Sequence, residues 1–298
     1  FARLTPELLN GDGSQADAIG SQLRWVEGGA TKTVIFDGSP VDVPISVLDT
    51  LEFRAAPDFS GQFRIGVRAY TVDTDDDGGS SVEAVSGQAY LENILITPEA
   101  DDVTLSLAAR AQGLEDEDIP LTIRPTSSDA SETFDVTISD IPDGAVLSYD
   151  GSALTVTGGS VTITDFDSSA PLSLLPPPNS NNDFTLTVSA ISVDKLDIGG
   201  VVYQDISDAM TLTMDVSVRG IADAAVVDAT SQTYFEGDLD SGTASVALAD
   251  LVTVTLTDDD TSETLTLQVT GLPDGIDLSE GTLLTGPGMT GEDRVWVL

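Results

Sequence analysis

Fifty-one Asp and Glu stand against 11 Lys and Arg, with no His and no Cys, so carboxylates carry whatever chemistry this chain does. Thiol nucleophiles, imidazole bases, zinc–thiolate sites and disulfides are excluded. Carboxylates offer either paired acid–base work, as in glycoside hydrolysis, or hard-oxygen ligation of calcium. Their placement favours ligation. Asp73, Asp75 and Asp77 precede Gly78 in the pattern D-x-D-x-D-G, in which alternate carboxylates converge on one ion and Gly allows the sharp turn. An EF-hand needs Glu at the twelfth loop position, which here is Ala84, while Glu83 falls one short. The flanks alternate as strands do, so a calcium loop between strands is expected; the plainer reading is a solvated hairpin tip.

Three further clusters recur in one order. Glu115, Asp116 and Asp118 are matched by Glu236 and Asp238. Asp129 and Glu132 are matched by Asp258, Asp260 and Glu263, and Asp101 and Asp102 by Asp223. One junction is expected to use Asp101, Glu115, Asp116, Asp129 and Glu132, and the next Asp223, Glu236, Asp238, Asp258 and Glu263. An active site should be unique, whereas these acids repeat, so an enzyme is not expected. Ser192 and Lys195 do stand at Ser-x-x-Lys spacing, but Lys195 reads as a surface charge. Trp25 and Trp296 could line a carbohydrate site, but Leu23 and Trp25 share the parity of a core face.

The elements that position the acids are strands. Ser131-Glu132-Thr133 and Ser262-Glu263-Thr264 each lead through an alternating run to Pro-Asp-Gly, at Pro142 and Pro273. The alternation of Phe63, Ile65, Val67 and Ala69 returns at Phe184, Leu186, Val188 and Ala190, and Ala100-Asp101 returns as Ala222-Asp223. A period of about 120 residues is that of one domain. The expected units are 1–100, lacking its first strand, with residues 12–15 matching 129–132; 101–221, complete; and 222–298, the first part of a third. Phe1 reads as a point inside a longer chain. Period-two alternation, abundant Val and Thr, and frequent Gly, Asp, Asn and Pro predict an all-β chain of β-sandwiches in a linear array. Short helical exceptions are expected at residues 5–10 and 46–51.

A formal charge of −40 rules out a basic groove for nucleic acid and opposes binding to an anionic membrane. Hydrophobic content of 40% argues for a folded chain rather than disorder. No apolar run reaches the roughly 18 residues that span a membrane, and no signal peptide opens the chain.

The order Ala-Asp linker, Glu-Asp cluster, Asp-x-Ser-Glu-Thr, alternating strand and Pro-Asp-Gly, with Ala56-Pro57-Asp58-Phe59-Ser60-Gly61 before Phe63, resembles the tandem Ig-like or cadherin-like repeats of giant type-I-secreted bacterial adhesins, the RTX and biofilm-associated family. Residues 176–180, Pro-Pro-Pro-Asn-Ser, and the pair Asp129-Ala130 depart from that pattern, and no glycine-rich nonapeptide repeat is present. The resemblance implies extender domains on the bacterial cell surface, rigidified by calcium and partnered by neighbouring repeats of the same chain. A self-assembling filament, sheath or surface layer, in which other copies are partners, is the alternative, and a carbohydrate-binding module the second.

Overall fold

Strands with one apolar face bury it only by stacking sheets in pairs. The computed structural model describes residues 2–9, 15–74, 81–233, 246–257, 263–272, 278–284 and 294–298, and it is all-β. The first hundred residues contain β1 (Ala2–Leu9), β2 (Gln15–Asp17), β3 (Gln22–Glu27), β4 (Ala30–Ile35), β5 (Val41–Val43), β6 (Glu52–Arg54), β7 (Gly61–Thr74), β8 (Ser81–Val85) and β9 (Ala89–Ile96). One sheet runs β2-β1-β7-β8, with β5 on β1 and β9 on β7; the other is β4-β3-β6. Leu4, Val43, Phe63 and Ile65 of the first sheet meet Leu23 and Trp25 of the second in one buried cluster. Phe53 stacks on Phe63 between the sheets, centroids 4.4 Å apart. Trp25 is core, 5% exposed.

The next stretch holds β10 (Thr104–Leu107), β11 (Arg110–Leu114), β12 (Ile119–Pro120), β13 (Ile123–Thr126), β14 (Thr133–Ser139), β15 (Val146–Tyr149), β16 (Ser152–Ala153), β17 (Val161–Ile163), β18 (Leu172–Leu175), β19 (Phe184–Ile198), β20 (Val201–Ile206) and β21 (Met210–Arg219). A sheet β11-β21-β19-β14-β17, with β20 on β19, faces β12-β18-β15-β16 and the pair β10-β13. Val136, Ile138, Leu186, Val188, Met214 and Val216 close against Ile119, Leu147, Leu172 and Leu174 in a second cluster. The last described strands are β22 (Val226–Ala229), β23 (Val252–Thr255), β24 (Gln268–Thr270), β25 (Thr282–Leu284) and β26 (Val295–Val297), paired as β22-β23 and β24-β26-β25.

Strand pairing repeats along with sequence. Ala2 of β1 faces Val43 and Ala69, as Val136 of β14 faces Ile163 and Ala190. β3 lies between β4 and β6 as β15 lies between β16 and β18, and β22 pairs with β23 as β10 pairs with β13. Ala2 is therefore the counterpart of Val136. Among the described strands of the first hundred residues none is paired as β10 through β13 are. Gln15, expected to match Glu132, pairs with Leu9 across β1 and β2, and residues 12–14 of that expected match lie outside the described residues.

Residues 5–9, expected within a short helix, belong to β1, which pairs with β7 along its whole length. Cross-strand pairing outweighs local preference there. The other exception is a 3-10 helix, Ile45–Thr50. The alternating run after Glu263 is strand only over β24, and Leu265 is exposed.

One pairing bears directly on the acids. Among the described pairs only β11 and β21 run parallel. Both strands therefore end at the same pole, and residues early in this stretch meet the chain where it leaves.

Candidate metal centre

The Asp-x-Ser-Glu motif builds one wall of a site from its own backbone. Asp129 Oδ1 accepts from Ser131 N at 2.7 Å and Ser131 Oγ at 2.8 Å, an Asx turn that delivers Glu132 to the start of β14. Glu132 is 7% exposed, and its Oε1 accepts from Asp101 N at 2.5 Å. The two neighbouring amides are held the same way. Ala100 N donates to Asp205 Oδ2 at 3.0 Å, and Glu99 N donates to the Asp194 carboxylate. Ser128 Oγ donates to Asp101 Oδ2 at 2.8 Å, and Ser192 Oγ donates to Asp101 O. Three successive linker amides thus sit in the grip of three carboxylates.

Those carboxylates crowd one another. Asp194 and Asp205 face each other across β19 and β20, an arrangement that destabilises a sheet when both charges are alike. Burial pushes the Asp194 carboxyl above its usual range, and the charges of Asp129 and Glu132 push it further. Asp129, Glu132 and Asp194 are all at least nine-tenths buried, and none takes part in an ion pair among the described residues. Asp102 is exposed.

At the opposite pole the parallel strands put Glu115 beside the outgoing chain. Glu115 N donates to Arg219 O at 3.0 Å, and its Oε1 accepts from Ile221 N at 2.5 Å. Glu115 is 1% exposed. Two residues on, Asp223 N donates to Glu263 Oε1, again at 2.5 Å. The Glu132–Asp101 bond is therefore made a second time by the matching residues. A cleft of about 380 Å³ opens there, lined among others by Asn181, Asp223 and Glu263. Asp116 Oδ1 accepts from Asn179 N at 3.0 Å at the same pole. Asp118 is exposed and turned toward Ser173 Oγ, 3.5 Å away.

This geometry regroups the acids. Glu115 and Asp116 do not join Asp101, Asp129 and Glu132; parallel pairing carries them to the junction of Asp223 and Glu263. In the β7–β8 hairpin Asp73 pairs with Val82 and Glu83 with Val72. Neighbouring register positions point to opposite faces, so Asp73 and Glu83 do not share an ion. Asp75, Asp77, Glu236, Asp238, Asp258 and Asp260 lie outside the described residues. Sequence reasoning passed over Asp194 and Asp205. The signal was phase: Leu186, Val188, Ala190 and Ser192 are buried, and Asp194 is the next inward position on β19.

Among the described residues no group of three or more acids is placed to hold a metal ion. Glu115 Oε2, Glu132 Oε2 and Glu263 Oε2 are nevertheless buried without a hydrogen-bond partner. Such an oxygen costs about 1–3 kcal/mol, and an unpaired buried carboxylate costs more. A hard cation taking oxygen ligands removes both costs. A comparison with protein-family models finds no match, and none of the curated proteins matches the chain either.

Proposed function

We propose that this chain is a structural extender of a large calcium-dependent bacterial surface adhesin, an array of Ig-like or cadherin-like repeats that bind Ca2+ where one unit hands over to the next. One observation carries the reading. A glutamate clamps a linker amide with Oε1 and leaves a buried Oε2 unpartnered, and it does so at Glu115, Glu132 and Glu263, the last only half-buried as a residue. A purely structural clamp needs only the bonded oxygen. The second oxygen, buried and without a donor, is what a cation ligand requires.

At the first junction Glu132, Asp129, Asp194 and Asp205 would hold the ion; at the second, Glu115, Asp223 and Glu263. Calcium accepts six to eight oxygens in flexible geometry, which suits carboxylates, carbonyls and water drawn from both sides of a linker. Bound there, it cancels the local repulsion and fixes the linker. Repelling carboxylates leave the same linker looser when the ion is absent.

Calorimetric titration of the full chain with calcium tests this. Two classes of site are expected, with dissociation constants in the range of roughly 0.1–1 mM set for extracellular modules. Glu132→Gln should remove one class and Glu115→Gln the other. Wild-type heats indistinguishable from both variants would overturn the proposal.

A further inference from the structure

The loop that joins β18 to β19 is where the second sandwich departs from the first. Ala190 is the counterpart of Ala69 in strand register. Asn179 then stands ahead of Phe184 as Asp58 stands ahead of Phe63, and Pro-Pro-Pro-Asn-Ser replaces Ala-Ala-Pro-Asp-Phe. Both residues have left-handed backbone, φ 52° at Asn179 and 57° at Asp58. Asn and Asp each take that conformation readily, so the turn itself does not choose between them. What differs is chemistry: an amide donates hydrogen bonds, and an ionised carboxylate only accepts them.

The loop is anchored at both ends. Pro176 is buried, and three successive prolines fix φ and bring no N–H that needs a partner. Pro177 covers Gly144, whose φ is +88°; a Cβ there would lie 3.6 Å from Pro177 Cβ. Asp116 holds the Asn179 amide nitrogen at 3.0 Å. At the far end Asp183 accepts from Val218 N at 2.8 Å and from Ser217 Oγ at 3.3 Å. Those two bonds tie the loop to β21, the last strand before the outgoing linker.

From this mount the half-buried Asn179 reaches past its own sandwich. Its Nδ2 donates to Thr257 O at 3.4 Å, two residues beyond β23. Thr257 Oγ1 donates in turn to Ala224 O of the linker at 2.8 Å. Asn181 lines the cleft with Glu263 and Thr264, and a Cβ on Gly220 would lie 3.2 Å from its Nδ2. The second sandwich therefore meets the β22–β23 segment directly as well as through the linker. The first junction is built otherwise. Its described hydrogen bonds run from linker residues 99–101 to the second sandwich, and Asp58 takes part in none of them.

We propose that residues 176–183 are a latch for the next repeat, with Asn179 as its positioning residue. The second junction then keeps its angle without an ion, whereas the first depends on one. An aspartate at 179 would have no proton to give Thr257 O. It would also add a charge to a pole that already carries Asp116, Asp223 and Glu263. The latch rests on the reading of these segments as successive repeats but not on calcium, so EDTA separates the two.

The chain has no cysteine, which leaves paired spin labels free of background. Thr213→Cys with Thr253→Cys spans the second junction, and Gly87→Cys with Thr213→Cys spans the first; all three positions are exposed. Distance distributions are measured on the full chain in EDTA and in calcium. In EDTA the second junction should be narrow and the first broad. Asn179→Asp should broaden the second, its open fraction rising about fivefold, the scale of one neutral hydrogen bond, and leave the first alone. Asn179→Gly keeps the left-handed turn without steric cost and should do the same, which separates a lost amide from a turn that fails to form. Calcium should narrow both variants again; variants that stay broad in calcium would leave the latch standing and count against the ion. A wild-type second junction as broad as the first in EDTA, or one that stays narrow in both variants, overturns the latch.

Discussion

Glu132 and Asp194 are costly as they stand: two buried carboxylates among their own kind, one with an oxygen that no donor reaches. Glu132→Gln removes a buried charge and keeps the volume. In EDTA it is expected to raise the melting temperature, because unpaired charge is lost, and in calcium to lower it relative to wild type. A variant that loses stability in both media would make Glu132 a structural clamp only. Asp194 gives the same contrast a pH dependence. Burial first, then Asp129 and Glu132, raise its folded pKa above the ordinary 3.8, so the folded state holds the proton more tightly than the unfolded one. Stability in EDTA should then fall as pH climbs from about 4 through the folded pKa, and level off above it. Asp194→Asn should remove that part of the slope. Calcium, which favours the ionised carboxylate, should flatten it in the wild type. A wild-type slope identical with and without calcium would show that no ion reaches Asp194.

Placement of these residues is a property of elements. β11 reaches Glu115 to the exit linker only because it runs beside β21 in parallel, and Gly113 permits this. A Cβ at Gly113 would stand 2.6 Å from Ile119 Cγ1, and Ile119 is fully buried. Gly113→Ala should cost about 1–3 kcal/mol through overpacking. It should also weaken calcium at the second junction while the first keeps its affinity, as titration of the two classes would show. Equal weakening of both would mean general destabilisation rather than a displaced β11. The same strand marks the limit of what can be read from sequence. The Ser-Glu-Thr motif, the alternation after it and the Ala-Asp linker were legible because their partners are local or repeat in register. Parallel pairing of Arg110–Leu114 with a strand a hundred residues later leaves no local mark, so the sequence pattern groups Glu115 with Asp101 while the fold sets it beside Ile221. Asp194 was legible in principle as an acid in the inward phase of β19, but the hairpin that sets Asp205 against it appears only in the pairing. Residues 5–9 carried no strong alternation, and only the length of β7 made them strand.

At the scale of the whole molecule, a charge of −40 works against any compact state, and two different remedies give two different salt responses. Screening acts on exposed charge and depends on ionic strength alone, with a Debye length of about 8 Å in physiological salt. It does little for an oxygen buried without a partner. Binding acts through mass action, adding about 2.7 kcal/mol per site at a hundredfold excess over the dissociation constant. Thermal unfolding of the full chain in EDTA, in calcium, in magnesium and in sodium chloride matched for ionic strength separates the two. Calcium is expected to raise the melting temperature across the range of roughly 0.1–1 mM, well beyond matched sodium chloride. Magnesium should fall between them, because it keeps its waters and demands stricter octahedral geometry. The double variant Glu115→Gln, Glu132→Gln should lose the calcium-specific rise and retain the sodium chloride response, since its exposed acids are untouched. If matched sodium chloride reproduced the whole effect of calcium, the recurring acids would be a solvated surface. The orphaned glutamate oxygens would then have to be reached by water rather than by an ion.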